Sequence, residues 1–105
     1  MRLLPTGPEV QTLRHYGLYP ECLRFRNWMA MTARAAYLEA RAALDREPDP
    51  EVELLPGVVI LFSQSRRLNE LLDGSLYLRS SDRRLALRMI ARVVLHLEWP
   101  YISKP

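Results

Sequence analysis

From Leu85 to Leu97 the chain is apolar except at every fourth residue, where Arg88, Arg92 and His96 continue a series begun by Arg84. Four steps of about 100° return nearly to the same side of an α-helix, so the pattern predicts a helix that is apolar nearly all round and carries one basic stripe. A helix of that kind sits at the centre of its bundle or at an oligomer interface. Ser80, Ser81 and Asp82 each offer an N-cap, and Pro100 halts the segment, which gives a predicted span of about 81–98.

The remaining punctuation predicts three more helices. Thr6-Gly7-Pro8-Glu9 fits a capping box, with Pro8 in a first turn that does not need its N–H, and Gly17 suits a left-handed cap; this predicts a helix over 8–16. Pro20 restarts a helix that runs to about residue 46, where Pro48 and Pro50 stop it. Along it, one apolar line reads Cys22, Phe25, Met29, Ala33, Ala36, Ala40 and Ala43, and a neighbouring line reads Trp28, Met31, Ala35, Leu38 and Ala42. Its alanine-rich second half lets another helix approach closely. Residues 47–53 hold two prolines and four acids and predict a stiff, solvated loop. Val58, Leu61, Phe62, Leu68, Leu71 and Leu72 follow helical spacing, and Asp73-Gly74 supplies a stop, so a helix is expected over 57–73. The β-branched Val58-Val59-Ile60 and the later Leu76-Tyr77-Leu78 keep a short hairpin as the alternative. The fold class is therefore all-α, a compact four-helix bundle, with residues 1–105 forming one domain.

Composition narrows the function classes. The longest apolar run, Val58 to Phe62, is far below the roughly 20 residues a membrane span needs, and Pro5 and Pro8 interrupt any secretory leader. Cys22 is the only cysteine, so folding does not depend on a disulfide and a cytoplasmic, reducing setting is expected. On the apolar line of its helix, Cys22 reads as a small buried side chain. His15 and His96 are far apart in sequence, the acidic loop lacks the glycine of a calcium loop, and no nucleotide-binding or nucleophile-elbow motif occurs. The expectation is a non-catalytic protein without metal or cofactor.

The cations carry the functional reading. Of 15 basic residues only Lys104 is a lysine, a bias that GC-rich coding can produce without any chemical cause. The stripe of Arg84, Arg88, Arg92 and His96 reads first as a solvated face or one paired with the acidic loop, next as a docking face for an acidic protein, and last as a phosphate-contacting helix. Arg66 and Arg67 could join Arg83 and Arg84 across the loop between the last two helices. A helix-turn-helix fits poorly there, because the connection is long and the second helix has no Asn or Gln to read adenine. Arg24 and Arg26 flank Phe25 ahead of Trp28, a pattern that can stack single-stranded bases but is met more simply by inward aromatics and outward arginines. The preferred reading is a small regulator or inhibitor that docks on a protein partner. Its alternative is a nucleic-acid binder using Arg66, Arg67, Arg83, Arg84, Arg88 and Arg92. A surplus of apolar helix surface also suggests a homodimer.

Overall fold

The computed structural model describes residues 3–75 and 83–105, which fold as α-helices with no strand among them. The helices are α1 (Gly7–His15), α2 (Arg26–Leu44), α3 (Leu55–Ser63), α4 (Arg66–Asp73), α5 (Arg83–Leu97) and α6 (Trp99–Ile102). A 3-10 turn, Pro20–Cys22, precedes α2, and one π-helical turn, Pro50–Leu54, precedes α3. The Cα radius of gyration is 13.2 Å, matching the roughly 13 Å of a compact chain this long.

Both ends of α1 follow from local chemistry. The Thr6 hydroxyl accepts from the Glu9 N–H at 3.3 Å, and the Glu9 carboxylate accepts from the Thr6 N–H at 2.9 Å. At the far end Gly17 takes φ +71°, Leu18 N–H donates to the Leu13 carbonyl at 2.7 Å, and Gly17 N–H donates to that of Arg14. This is a Schellman cap, closed by the buried pair Leu13 and Leu18.

Helix α5 is the central element. It buries Ala86, Leu87, Met89, Ile90, Ala91, Val93, Val94 and Leu95 against α1, α2, α3 and α6. From α3 come Leu55, Val58, Val59 and Phe62, and from α2 come Met29, Ala30, Ala33 and Tyr37. Phe62 is fully buried with its ring centroid 5.6 Å from that of Trp28.

Four expectations are corrected. The helix over 20–46 is divided: Leu23 takes extended angles (φ −94°, ψ 135°) and α2 begins only at Arg26, so that Leu18, Tyr19, Pro20 and Leu23 can all turn inward. Cys22, on the outside of that turn, is exposed rather than buried. The helix over 57–73 is likewise divided between α3 and α4, where Ser65 caps α4 by accepting from Leu68 N–H. Residues 47–53 are no solvated loop: Pro48 is buried, and Asp49 caps the π turn through the N–H groups of Glu51 and Val52. The C-terminal residues are also held in place. Ile102 is fully buried, Trp99 meets Tyr37 edge-on at 5.9 Å, and Arg34 donates to the carbonyls of Tyr101, Ile102 and Lys104. The expected caps Ser80, Ser81 and Asp82, and the hairpin alternative at Leu76–Leu78, lie outside the described residues.

Candidate docking surface

The structure separates the six arginines singled out from the sequence. Arg92 is turned inward, its side chain only 18% exposed, with Nη2 3.1 Å from Glu51 Oε1 and Nε 3.8 Å from Glu9 Oε2. Arg83 binds Asp73 and donates to Asn69 Oδ1 at 2.8 Å, fastening the start of α5 to α4. Arg66 pairs with Glu70 at (i, i+4) on an open face of α4. Arg67, Arg84 and Arg88 are exposed and make no ion pair among the described residues. The expected cluster therefore loses two members to internal structure. Of the other four, Arg66 is held by Glu70, Arg84 faces a groove beside α3, and Arg67 shares a cleft of about 530 Å³ with Arg24, Phe25, Glu70 and Leu71.

The stripe diverges because four residues turn a helix by about 400°, not 360°. Each step drifts by about 40°, so Arg92 lies about 80° round from Arg84 and meets the π turn, while Arg84 stays outside. His96 follows the same drift, and its Nδ1 is buried without a hydrogen-bond partner among the described residues.

A second polar knot joins α2 to the π turn. Arg46 clasps Glu53 with two bonds of 2.9 and 2.7 Å, and Asp49 N–H adds a third at 2.7 Å. These donors hold the Glu53 carboxyl below its ordinary value of 4.5, the Arg46 side-chain bonds contributing most. The carboxylate in turn raises the guanidinium of Arg46. Tyr37 donates to Glu47 at 2.5 Å, and burial first, then that carboxylate, push its hydroxyl above 10.0.

The feature that sequence reasoning missed is apolar. Helix α3 has apolar residues on every side, and its inner face uses only part of them. Ile60 remains 53% exposed and Leu61 37%. Beside them runs a groove of about 380 Å³ between α3 and α2, lined by Ala36, Ala40, Gly57, Ile60 and Leu61, with Glu39 on its rim. On the other flank of α3 a smaller groove of about 200 Å³ is lined by Val59, Ile60, Ser63, Leu87 and Arg84. Ile60 is thus the crest of one apolar strip with α2 on one side and α5 on the other. Gly57 opens the first groove: a β-carbon there would meet nothing within 4 Å. The run Val58–Phe62 was the available signal, since five consecutive apolar residues on a helix cannot all face one core.

Among the described residues no group of three or more His, Cys, Asp or Glu could hold a metal ion, and no helix is long and apolar enough to cross a membrane. Comparison with known protein families, curated proteins and solved structures finds no match to this chain.

Proposed function

We propose that this protein is a small non-catalytic docking protein, of the regulator or inhibitor type, that receives a protein partner on the apolar strip crested by Ile60. The observation that carries the reading is the combination of an exposed Ile60 and Leu61 with a groove whose alanines and glycine leave room for a partner's side chains. An amphipathic helix laid along α3 would bury Ile60 and fill the groove over Gly57, the geometry of helix-in-groove recognition. Keeping glycine inside a helix costs about 1 kcal/mol relative to alanine, which suits a position where open space is used. The exposed, single Cys22 fits work in a reducing, cytoplasmic setting, where it would not cross-link.

The test is a photo-reactive side chain placed at position 60 in living host cells, with the same group at the exposed Gln11 on α1 as control. A discrete protein adduct at 60 that survives nuclease, is absent at 11, and disappears when Gly57→Leu fills the groove is the expected result. Equal labelling at both positions overturns the reading.

A second reading, nucleic-acid binding, is favoured by the cleft where Arg24 and Arg67, neither in an ion pair among the described residues, stand with Phe25 and with Glu70, which is held by Arg66. Arg84 and Arg88 would extend it, whereas Arg92 and Arg83 are engaged within the chain. It predicts adducts that vanish with nuclease and binding that falls steeply with salt.

A further inference from the structure

We infer that in the absence of another partner the Ile60 strip is covered by a second copy of this chain, in a two-fold dimer whose register is set by Glu39 of each copy against Arg84 of the other. The inference rests on the reading of the strip as a docking surface and names its resting occupant.

The strip is charge-complementary to itself across an apolar centre. Glu39 rims the groove on the α2 flank of α3, and Arg84 rims the groove on the α5 flank. Both are exposed, and neither has an ion-pair partner among the described residues. Glu53, the other acid at the first groove, is already held by Arg46. Among the described residues the strip therefore carries an unpaired negative charge, Glu39, on one side of Ile60 and an unpaired positive charge, Arg84, on the other.

A two-fold axis lying in the interface and parallel to α3 maps each flank onto the opposite flank of the other copy. Ile60 then packs near the axis against the other copy's Ile60, the Gly57–Leu61 groove of each copy faces the Val59–Ser63 flank of the other, and two Glu39–Arg84 pairs close the rim. An axis perpendicular to α3 would instead set Glu39 against Glu39 and Arg84 against Arg84, and like charges facing each other oppose that arrangement. The dimer hides the same surface that a partner needs, so partner binding and self-association compete.

Sedimentation velocity of the full chain through the micromolar range tests this, with four variants: Ile60→Asp, Glu39→Arg, Arg84→Glu, and the last two combined. The wild type is expected to move from monomer to dimer as concentration rises. Ile60→Asp is expected to remain monomeric, with an unchanged helical circular-dichroism spectrum showing that it has folded. Each single charge change is expected to weaken association about tenfold, because each acts twice in the dimer, and the combined swap to return it to within about threefold of wild type. A wild type that stays monomeric overturns the dimer. A dimer indifferent to Ile60→Asp, or a combined swap no better than the singles, overturns it equally. None of these results bears on the docking reading, which fails separately if the protein adduct at position 60 is not found. In that experiment an adduct of twice the chain mass reports the second copy, and any other discrete mass reports a partner.

Discussion

The guanidinium of Arg92, near the end of α5, reaches Glu51 on the π turn at 3.1 Å and points its Nε toward Glu9 on α1 at 3.8 Å. One side chain thereby ties three segments that are distant in sequence. All three are screened from water, Arg92 to 18% exposure, Glu9 to 26% and Glu51 to 33%. Removing the cation leaves two carboxylates facing each other in partial burial. Arg92→Ala is expected to lower stability by about 1–3 kcal/mol, between an exposed and a buried pair. Arg88→Ala, one turn earlier and exposed, should stay within about 0.5 kcal/mol of wild type. Urea unfolding followed by circular dichroism checks both, and equal losses would contradict the inward placement of Arg92.

The same residue shows what the sequence made legible and what it did not. Pairing of the stripe with the acidic segment was one of the readings open from the sequence, and Arg92 fulfils it. Yet four-residue spacing alone makes Arg84, Arg88 and Arg92 equivalent. Only the drift of about 40° per step, together with the position of the π turn, separates them. The capping box at Thr6 and the left-handed Gly17 were legible because each is decided within a few residues. The break before α2 was not, since Cys22, Phe25 and Met29 keep helical spacing across it. The chain leaves the helix at Leu23 because four neighbouring side chains gain burial by doing so. Glu39 and Arg84 were visible only as charges, and their placement on opposite flanks of Ile60 needed the packing of α2, α3 and α5.

Acid should loosen the joint between α2 and α3. The Glu53 carboxyl is lowered in the folded protein by Arg46 and by Asp49 N–H. A depressed carboxyl contributes stability that is present above its unfolded value and is lost as pH falls through the lower folded value. Thermal midpoints of wild type and Glu53→Gln are therefore expected to differ at neutral pH and to converge as pH drops below 4.5. A difference that stays constant down to the acid limb would show that Glu53 holds no special interaction.

Alkali should act on the other end of the same region. Tyr37 is buried and its hydroxyl donates to Glu47, so ionisation is disfavoured in the folded state and its value rises above 10.0. A raised acid of this kind contributes stability that is fully present below the unfolded value and is lost as pH rises through the folded one. Tyr37→Phe is expected to cost about 1 kcal/mol near neutrality, the net worth of one hydrogen bond, because Glu47 is exposed enough to recover water. Spectrophotometric titration at the phenolate band should show a late-ionising component in wild type that is lost in the variant. A variant that keeps the delayed ionisation would assign it to another tyrosine.

Helix α3 has two faces, and substitutions should separate stability from recognition. Phe62 is fully buried beside Trp28, so Phe62→Ala should cost about 3–5 kcal/mol through lost burial and the cavity left behind. Gly57 lies in open space within the helix, so Gly57→Ala should raise stability by about 0.5–1 kcal/mol. Gly57→Leu should also fold, because nothing lies within 4 Å of its β-carbon, while filling the groove over which a partner packs. Ile60→Asp stays close to wild type in stability for the same reason, its side chain being more than half exposed. Denaturant midpoints measured at low protein concentration, where self-association does not contribute, give the stability ranking, and adduct formation at the strip gives the second axis. If Gly57→Leu or Ile60→Asp unfolds the chain as Phe62→Ala does, the outer face of α3 belongs to the core, and the docking surface is not there.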